Sequence, residues 1–183
     1  EQLTHDFYFG ANIFNFDQLG SDDRNRRYKE LFGTLFNSAT IAFYWKTFEP
    51  VPGKPRFAGE RRDTAAWWNA VKEPKKQPHW RRPASDPVVA FCERKGIRLH
   101  GHPIAWGNRR WHHPGWLFEK YCPADEKKKL LQHGRKGLQE LSPDAIAALA
   151  PVYVAELRRL YDKRITELAE HYQGRLHSWD VVN

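Results

Sequence analysis

The chain predicts an α/β fold on a parallel sheet, and three observations carry that prediction. Short β-branched or aromatic runs alternate with longer segments in which apolar residues recur every three or four positions. The order is strand, helix, strand, helix, strand, helix, strand, and such alternation joins parallel strands through crossover helices. The last run, His177-Ser178-Trp179-Asp180-Val181-Val182-Asn183, combines strand formers with polar residues at its far end. A βα enzyme presents that arrangement, on a buried strand, at the carboxyl end of its sheet. No Gly-x-Gly-x-x-Gly or Gly-Lys-Ser/Thr loop opens a helix, which leaves a nucleotide-binding sheet unsupported.

Residues 7–14, aromatic and β-branched, read as the first strand, with Gly10 allowing close packing. Ser21 is an N-cap followed by the first-turn acids Asp22 and Asp23. Tyr28, Leu31, Phe32, Leu35 and Phe36 then carry a helix to about Phe36. Residues 37–43 are the second strand, running into Tyr44-Trp45-Lys46. Residues 51–83 read as an insertion. Half of the twelve prolines lie between Pro50 and Pro83, among Lys, Arg and Trp, so the stretch is irregular, with one short helix over about 64–71 that carries Trp67 and Trp68. A long irregular stretch inside a compact domain is usually functional or disordered.

Asp86-Pro87 reads as an N-cap followed by a first helical proline. Val88, Val89, Phe91 and Cys92 supply the apolar face of that helix, and Gly96 its stop. Residues 97–104 are the third strand, followed by a loop holding Trp106, Trp111, His112, His113 and Trp116. The charged segment 125–140 reads as a solvated helix. Ser142-Pro143 caps the next one, and Pro151 breaks or restarts it. Val154, Leu157, Tyr161, Ile165, Leu168 and Tyr172 form the apolar stripe of a long helix that Gly174 closes.

The length suffices for one domain's core, and the 40% hydrophobic fraction argues against disorder. Most of the eight Trp are expected in that core. No apolar run reaches the roughly 18 residues of a membrane span, so no membrane partner is expected. The net charge of +8 suits nucleic acid or an acidic polysaccharide such as glucuronate-bearing xylan. Nucleic acid is not expected as a partner: that reading would rest on the Arg/Lys-plus-Trp stretch 72–82 and would need a tight, salt-dependent complex. Cys92 and Cys122 make neither a metal pattern nor a disulfide framework.

Four strands fit either part of a (β/α)8 TIM barrel or a small doubly wound sheet. In a barrel, the polar residues at the strand ends are Asn12, Lys46, His102, Trp106, Asp180 and Asn183. Such a set suits hydrogen bonding to a sugar, with loop aromatics stacking on its apolar face. His100 and His102 share one face of their strand. With His112 and His113 nearby they raise a zinc site, but no Asp or Glu lies close in sequence as a further ligand. No metal and no other cofactor is expected.

Ser178-Trp179-Asp180-Val181-Val182-Asn183 resembles the fourth-strand motif of glycoside hydrolase family 10, the endo-β-1,4-xylanases, in which Trp-Asp-Val-Val-Asn precedes the acid/base glutamate. Gly101-His102-Pro103-Ile104-Ala105-Trp106 resembles the family's third-strand motif. Phe36-Asn37-Ser38-Ala39-Thr40, with Trp45-Lys46 and Glu49-Pro50, resembles its second-strand motif. The three come in family order over residues 36–183. The departures are Ala42 and Phe43 where the family has Glu-Asn, Gly107 where it has His, and two residues fewer before Glu49-Pro50.

The resemblance implies a (β/α)8 TIM barrel of which residues 1–183 supply about the first four βα units, the N-terminal half of one barrel domain. The partner implied is the missing C-terminal half, without which the half barrel is expected to aggregate, pair with itself or partly unfold. The implied activity is retaining hydrolysis of β-1,4-xylan or a related plant polysaccharide, by two carboxylates about 5–5.5 Å apart. Neither carboxylate is in this chain: the acid/base Glu is expected directly after Asn183 and the nucleophile from a later strand. Lys46, His102, Trp106 and Asn183 are the implied substrate contacts, Asn12 is a candidate contact from its place at a strand end, and the implied location is secreted or periplasmic. The departures motivate an alternative, a non-catalytic carbohydrate-binding protein on the same scaffold.

Overall fold

A computed structural model describes residues 7–183. The element order is β1 (Gly10–Asn12), α1 (Asp22–Leu35), β2 (Ser38–Ala42), α2 (Trp45–Phe48), α3 (Ala65–Ala70), α4 (Ser85–Lys95), β3 (Arg98–His102), α5 (Gly115–Tyr121), α6 (Ala124–Gln139), α7 (Pro143–Leu149), α8 (Pro151–His171) and β4 (Ser178–Trp179). The chain forms two compact units. One holds the sheet, with residues up to His113 and Tyr172–Asn183; the other is Pro114–His171.

The sheet is parallel throughout, in the order β1-β2-β3-β4. Its first strand is shorter than residues 7–14. The Asn37 side chain supplies the reason: its amide donates to the Phe7 carbonyl and its Oδ1 accepts from Phe9 N–H, so it replaces the ladder there. Alternation decides the two faces of the sheet. Ala39, Ile41, Phe43 and Leu99 are buried on one, while Thr40, Ala42, His100 and His102 keep partial exposure on the other. On the buried face Gly101 is required, because a Cβ there would occupy the space of the Trp179 indole. Phe43, fully buried, packs its ring against Phe48, Tyr172 and Trp179. The last strand is not enclosed as expected. Among the described residues it pairs only with β3, and Val181 and Val182 stand 58% and 76% exposed.

Ser21 caps α1, its hydroxyl accepting from Arg24 N–H at 3.2 Å, and Gly96 closes α4 in the left-handed region, at φ 65°. The start of α4 differs from the Asp86-Pro87 reading: the N-cap is Ala84, with no side-chain cap. The first-turn donors go elsewhere, Ser85 N–H to the Arg56 carbonyl and Asp86 N–H to the Phe57 carbonyl. The 51–83 segment therefore caps this helix with its own backbone.

That segment is tied down. Its predicted short helix is α3, capped by Thr64, between 3₁₀ turns at Arg61–Asp63 and Pro74–Lys76. At its centre Arg56 is 2% exposed, bridges Asp63 and donates to the Thr47 and Arg82 carbonyls. His79, 2% exposed, packs its ring against both Trp67 and Trp68, each 5.3 Å away by centroid. Burial and the nearby Arg56 and Arg62 push its pKa down to about 3. Only Trp45 and Trp68 of the eight Trp are fully buried, so the expected Trp core is smaller than predicted.

In the helical unit, α6 is not solvated all round. Leu130 packs with Cys122 and Ala150, and Glu126, 3% exposed, accepts from Val152 and Tyr153 N–H at the start of α8. The expected stripe on α8 shifts: Leu160, Arg164 and Leu168 are buried and Ile165 faces solvent.

Candidate functional site

The partly exposed face of the sheet carries a hydrogen-bonded polar row at the carboxyl ends of its strands. Ala42 pairs with His102, and Asp180 follows Trp179, the residue opposite Gly101. His102 and Asp180 therefore lie side by side. The Asp180 carboxylate takes His102 Nδ1 at 2.6 Å and His100 Nε2 at 3.2 Å. His100 Nδ1 lies 2.9 Å from Ser178 Oγ, and His102 Nε2 lies 3.1 Å from the Tyr44 hydroxyl. The hydrogen bonds from His102 and His100 hold the Asp180 carboxyl below the usual carboxylate value, against a weaker opposing push from burial. The row fixes a chain, Asp180–His102–Tyr44, whose imidazole orientation is set from both ends.

Beside it lies a cavity of about 660 Å³, within the size range of ligand sites. Tyr44, Trp80, Trp106 and Trp111 supply its rings. The Trp106 ring is 6.0 Å from that of Tyr44, and Arg82 stands over Tyr44 at 4.8 Å. The loop after β3 is anchored through His112, fully buried, whose carbonyl accepts from Lys46 N–H at 2.6 Å.

The predicted residues divide. Lys46, on α2, and Trp106 line the cavity, and the Lys46 ammonium donates to the Arg110 carbonyl at 3.3 Å. His102 joins them through Tyr44. Asn183 is exposed, its backbone N–H bonded to the Ala105 carbonyl. Asn12 sits beside Thr40, one row below His102, and does not line the cavity. His100 and His102 converge on Asp180, apart from His112. Among the described residues no three of His, Cys, Asp and Glu are grouped to hold a metal.

Tyr44 and Arg82 also belong to the site. Tyr44 shares the phase of Thr40 and Ala42, a signal present in the alternation. Arg82, brought over Tyr44 from the far end of the 51–83 segment, has no local signal.

The sequence profile of Glycosyl hydrolase family 10 matches residues 5–183. The chain belongs to glycosyl hydrolase family 10. Its relatives include a Beta-1,4-xylanase of Dictyoglomus thermophilum, 26% identical over 99 residues that make up 54% of this chain and 18% of that protein. A Putative endo-1,4-beta-xylanase of Caldicellulosiruptor saccharolyticus is 31% identical over 100 residues, 53% of this chain and 24% of that one. The chain thus matches about a quarter or less of the length of these relatives. Xylanase 10B from Thermotoga petrophila, solved in complex with xylobiose, superposes with a TM-score of 0.53 at 22% identity, covering 96% of this chain and 36% of that one. This family 10 fold is a (β/α)8 barrel, of which the chain supplies four parallel strands. No described helix is long and apolar enough to cross a membrane.

Proposed function

We propose that this chain is the N-terminal half of a single barrel domain, residues 1–183 with an insertion at 51–83, in a retaining glycoside hydrolase that cleaves β-1,4-xylan or a related plant polysaccharide. The observation that carries the proposal is the Asp180–His102–Tyr44 chain at the strand ends of a family 10 fold. In this reading His102, Lys46 and Asn183 hydrogen-bond the sugars at the cleavage point and Trp106 stacks on an apolar sugar face. Asn12 remains a more distant contact. The acid/base glutamate follows Asn183 and the nucleophile comes from a later strand, the pair acting by double displacement. A polymer too large to cross a membrane puts the enzyme outside the cytoplasm, secreted or periplasmic.

A second reading, a carbohydrate-binding protein without catalysis, draws on Phe43. The ring at that position is buried in the core and offers nothing to a sugar. Release of reducing ends from β-1,4-xylan by the intact protein decides between them. Turnover supports the hydrolase. Binding of xylan without turnover supports the second reading.

A further inference from the structure

Of the cations around the cavity, the reading above uses only Lys46. Lys46, Lys75, Lys76, Arg81, Arg82 and Arg110 line it, and no carboxylate does. Among the described residues only Lys76 of the six is ion-paired, with Glu73 at 2.6 Å. Like charges gathered around one concavity repel, and the field they focus attracts anions.

These charges are held in place. Arg81 lies over the Trp80 ring at 5.1 Å and Arg110 over Trp111 at 4.8 Å, contacts that fix a cation against a π face. Arg82 sits 4.2 Å from the centroid of Phe14 and 4.8 Å from that of Tyr44. Tyr44 in turn bonds His102, so the cationic wall and the sheet-end cluster meet at one hydroxyl-bearing ring. The 51–83 segment and the loop after β3 build most of the wall, and Lys46 joins it from α2. Single-stranded nucleic acid would need cations spread along an extended groove; here they converge on one cavity.

We propose that this cavity binds a carboxylate-bearing sugar, so that the preferred polysaccharide is a uronate-decorated one. The inference rests on the glycoside hydrolase reading for the polymer's main chain. Uronate carboxylates would lie among Lys75, Arg81 and Arg110 while the neutral backbone runs past Trp106 and His102.

The test compares glucuronoxylan with the same polymer after carboxyl reduction, which turns each uronate into a neutral hexose and keeps the backbone. Affinity for each polymer and kcat/KM on each are measured with the intact protein at low ionic strength. About tenfold preference for the acidic polymer is expected, the yield of two or three partly exposed ion pairs. The preference should shrink toward unity at high salt and in the Lys75→Gln/Arg81→Gln variant, whose fold is checked by its melting temperature. Equal affinity and equal turnover on both polymers overturn the inference and leave the hydrolase reading standing. Preferential binding of the acidic polymer without turnover keeps the inference and removes catalysis. Tighter binding to single-stranded DNA or RNA than to either polymer overturns it in favour of nucleic acid.

Discussion

The strand ends and the 51–83 segment meet at Tyr44, yet they hold their polar groups in different ways. At the strand ends the ladder does the placing: His100, His102, Ser178 and Asp180 share one face because side chains alternate and the strands are in register. These groups stay partly solvated, Asp180 being 42% exposed, so little folding energy depends on them. In the 51–83 segment no ladder exists. Arg56 takes the part of one, buried against Asp63 and two carbonyls, and the segment's own carbonyls cap α4. The difference teaches that the first region can vary its chemistry without unfolding, whereas the second must keep its buried pair to keep its exposed cations in place.

That contrast can be broken at several points. The largest effect is expected at Arg56: Arg56→Ala leaves the Asp63 carboxylate buried without its partner and should cost about 3–5 kcal/mol. Denaturant titration of the intact protein measures it, and a loss below about 1 kcal/mol would mean the segment is peripheral to the fold. Phe43→Ala should cost a similar ~3–5 kcal/mol by emptying the site beneath Trp179.

A smaller effect near neutral pH, growing with acid, belongs to His79. Its folded pKa, about 3, lies below the ordinary value of 6.5, so the unfolded chain binds the extra proton between those values. Stability from this group is complete above pH 6.5 and falls as the pH drops toward 3, by up to about 1.4 kcal/mol per pH unit. His79→Phe keeps a ring against Trp67 and Trp68 and should flatten that slope. An unchanged slope would place the titration elsewhere.

The smallest stability effect is at the strand ends. Asp180→Asn should change stability by less than about 1 kcal/mol. Loss of the charge-assisted bond orienting His102 should nevertheless lower kcat/KM on xylo-oligosaccharide about tenfold. Because the Asp180 pKa is lowered, the interaction is present above the usual carboxylate value and is lost as the pH falls through the folded pKa. Wild-type KM should therefore rise at acid pH, a rise the variant lacks.

What could be read in advance follows from the range of the forces involved. The helix signals at Ser21, Gly96 and Ser142 are local hydrogen-bonding choices and appear where expected. His100 and His102 could be assigned to one face because alternation is also local. Arg82 and Tyr44 could not be paired, since 38 residues without a regular period separate them. The cap of α4 departs from its local signal for a related reason: Asp86 is a good N-cap locally, but its carboxylate lies 2.8 Å from the Tyr172 hydroxyl. The stripe on α8 was off by one residue at Ile165, where the neighbouring Arg164 is the buried one. Whether an arginine lies under a surface is settled by its partners, not by hydropathy.

The most direct test of the central claim, that substrate is held and cleaved at the Asp180–His102–Tyr44 chain, is steady-state hydrolysis of a linear xylo-oligosaccharide by the intact protein and its His102→Gln variant. Glutamine keeps a polar side chain but cannot bridge Asp180 and Tyr44 as an imidazole does. The account predicts turnover by the wild type, a fall in kcat/KM of about a hundredfold in the variant, and melting temperatures that agree within about 2 °C. Equal kcat/KM for the two proteins would contradict it.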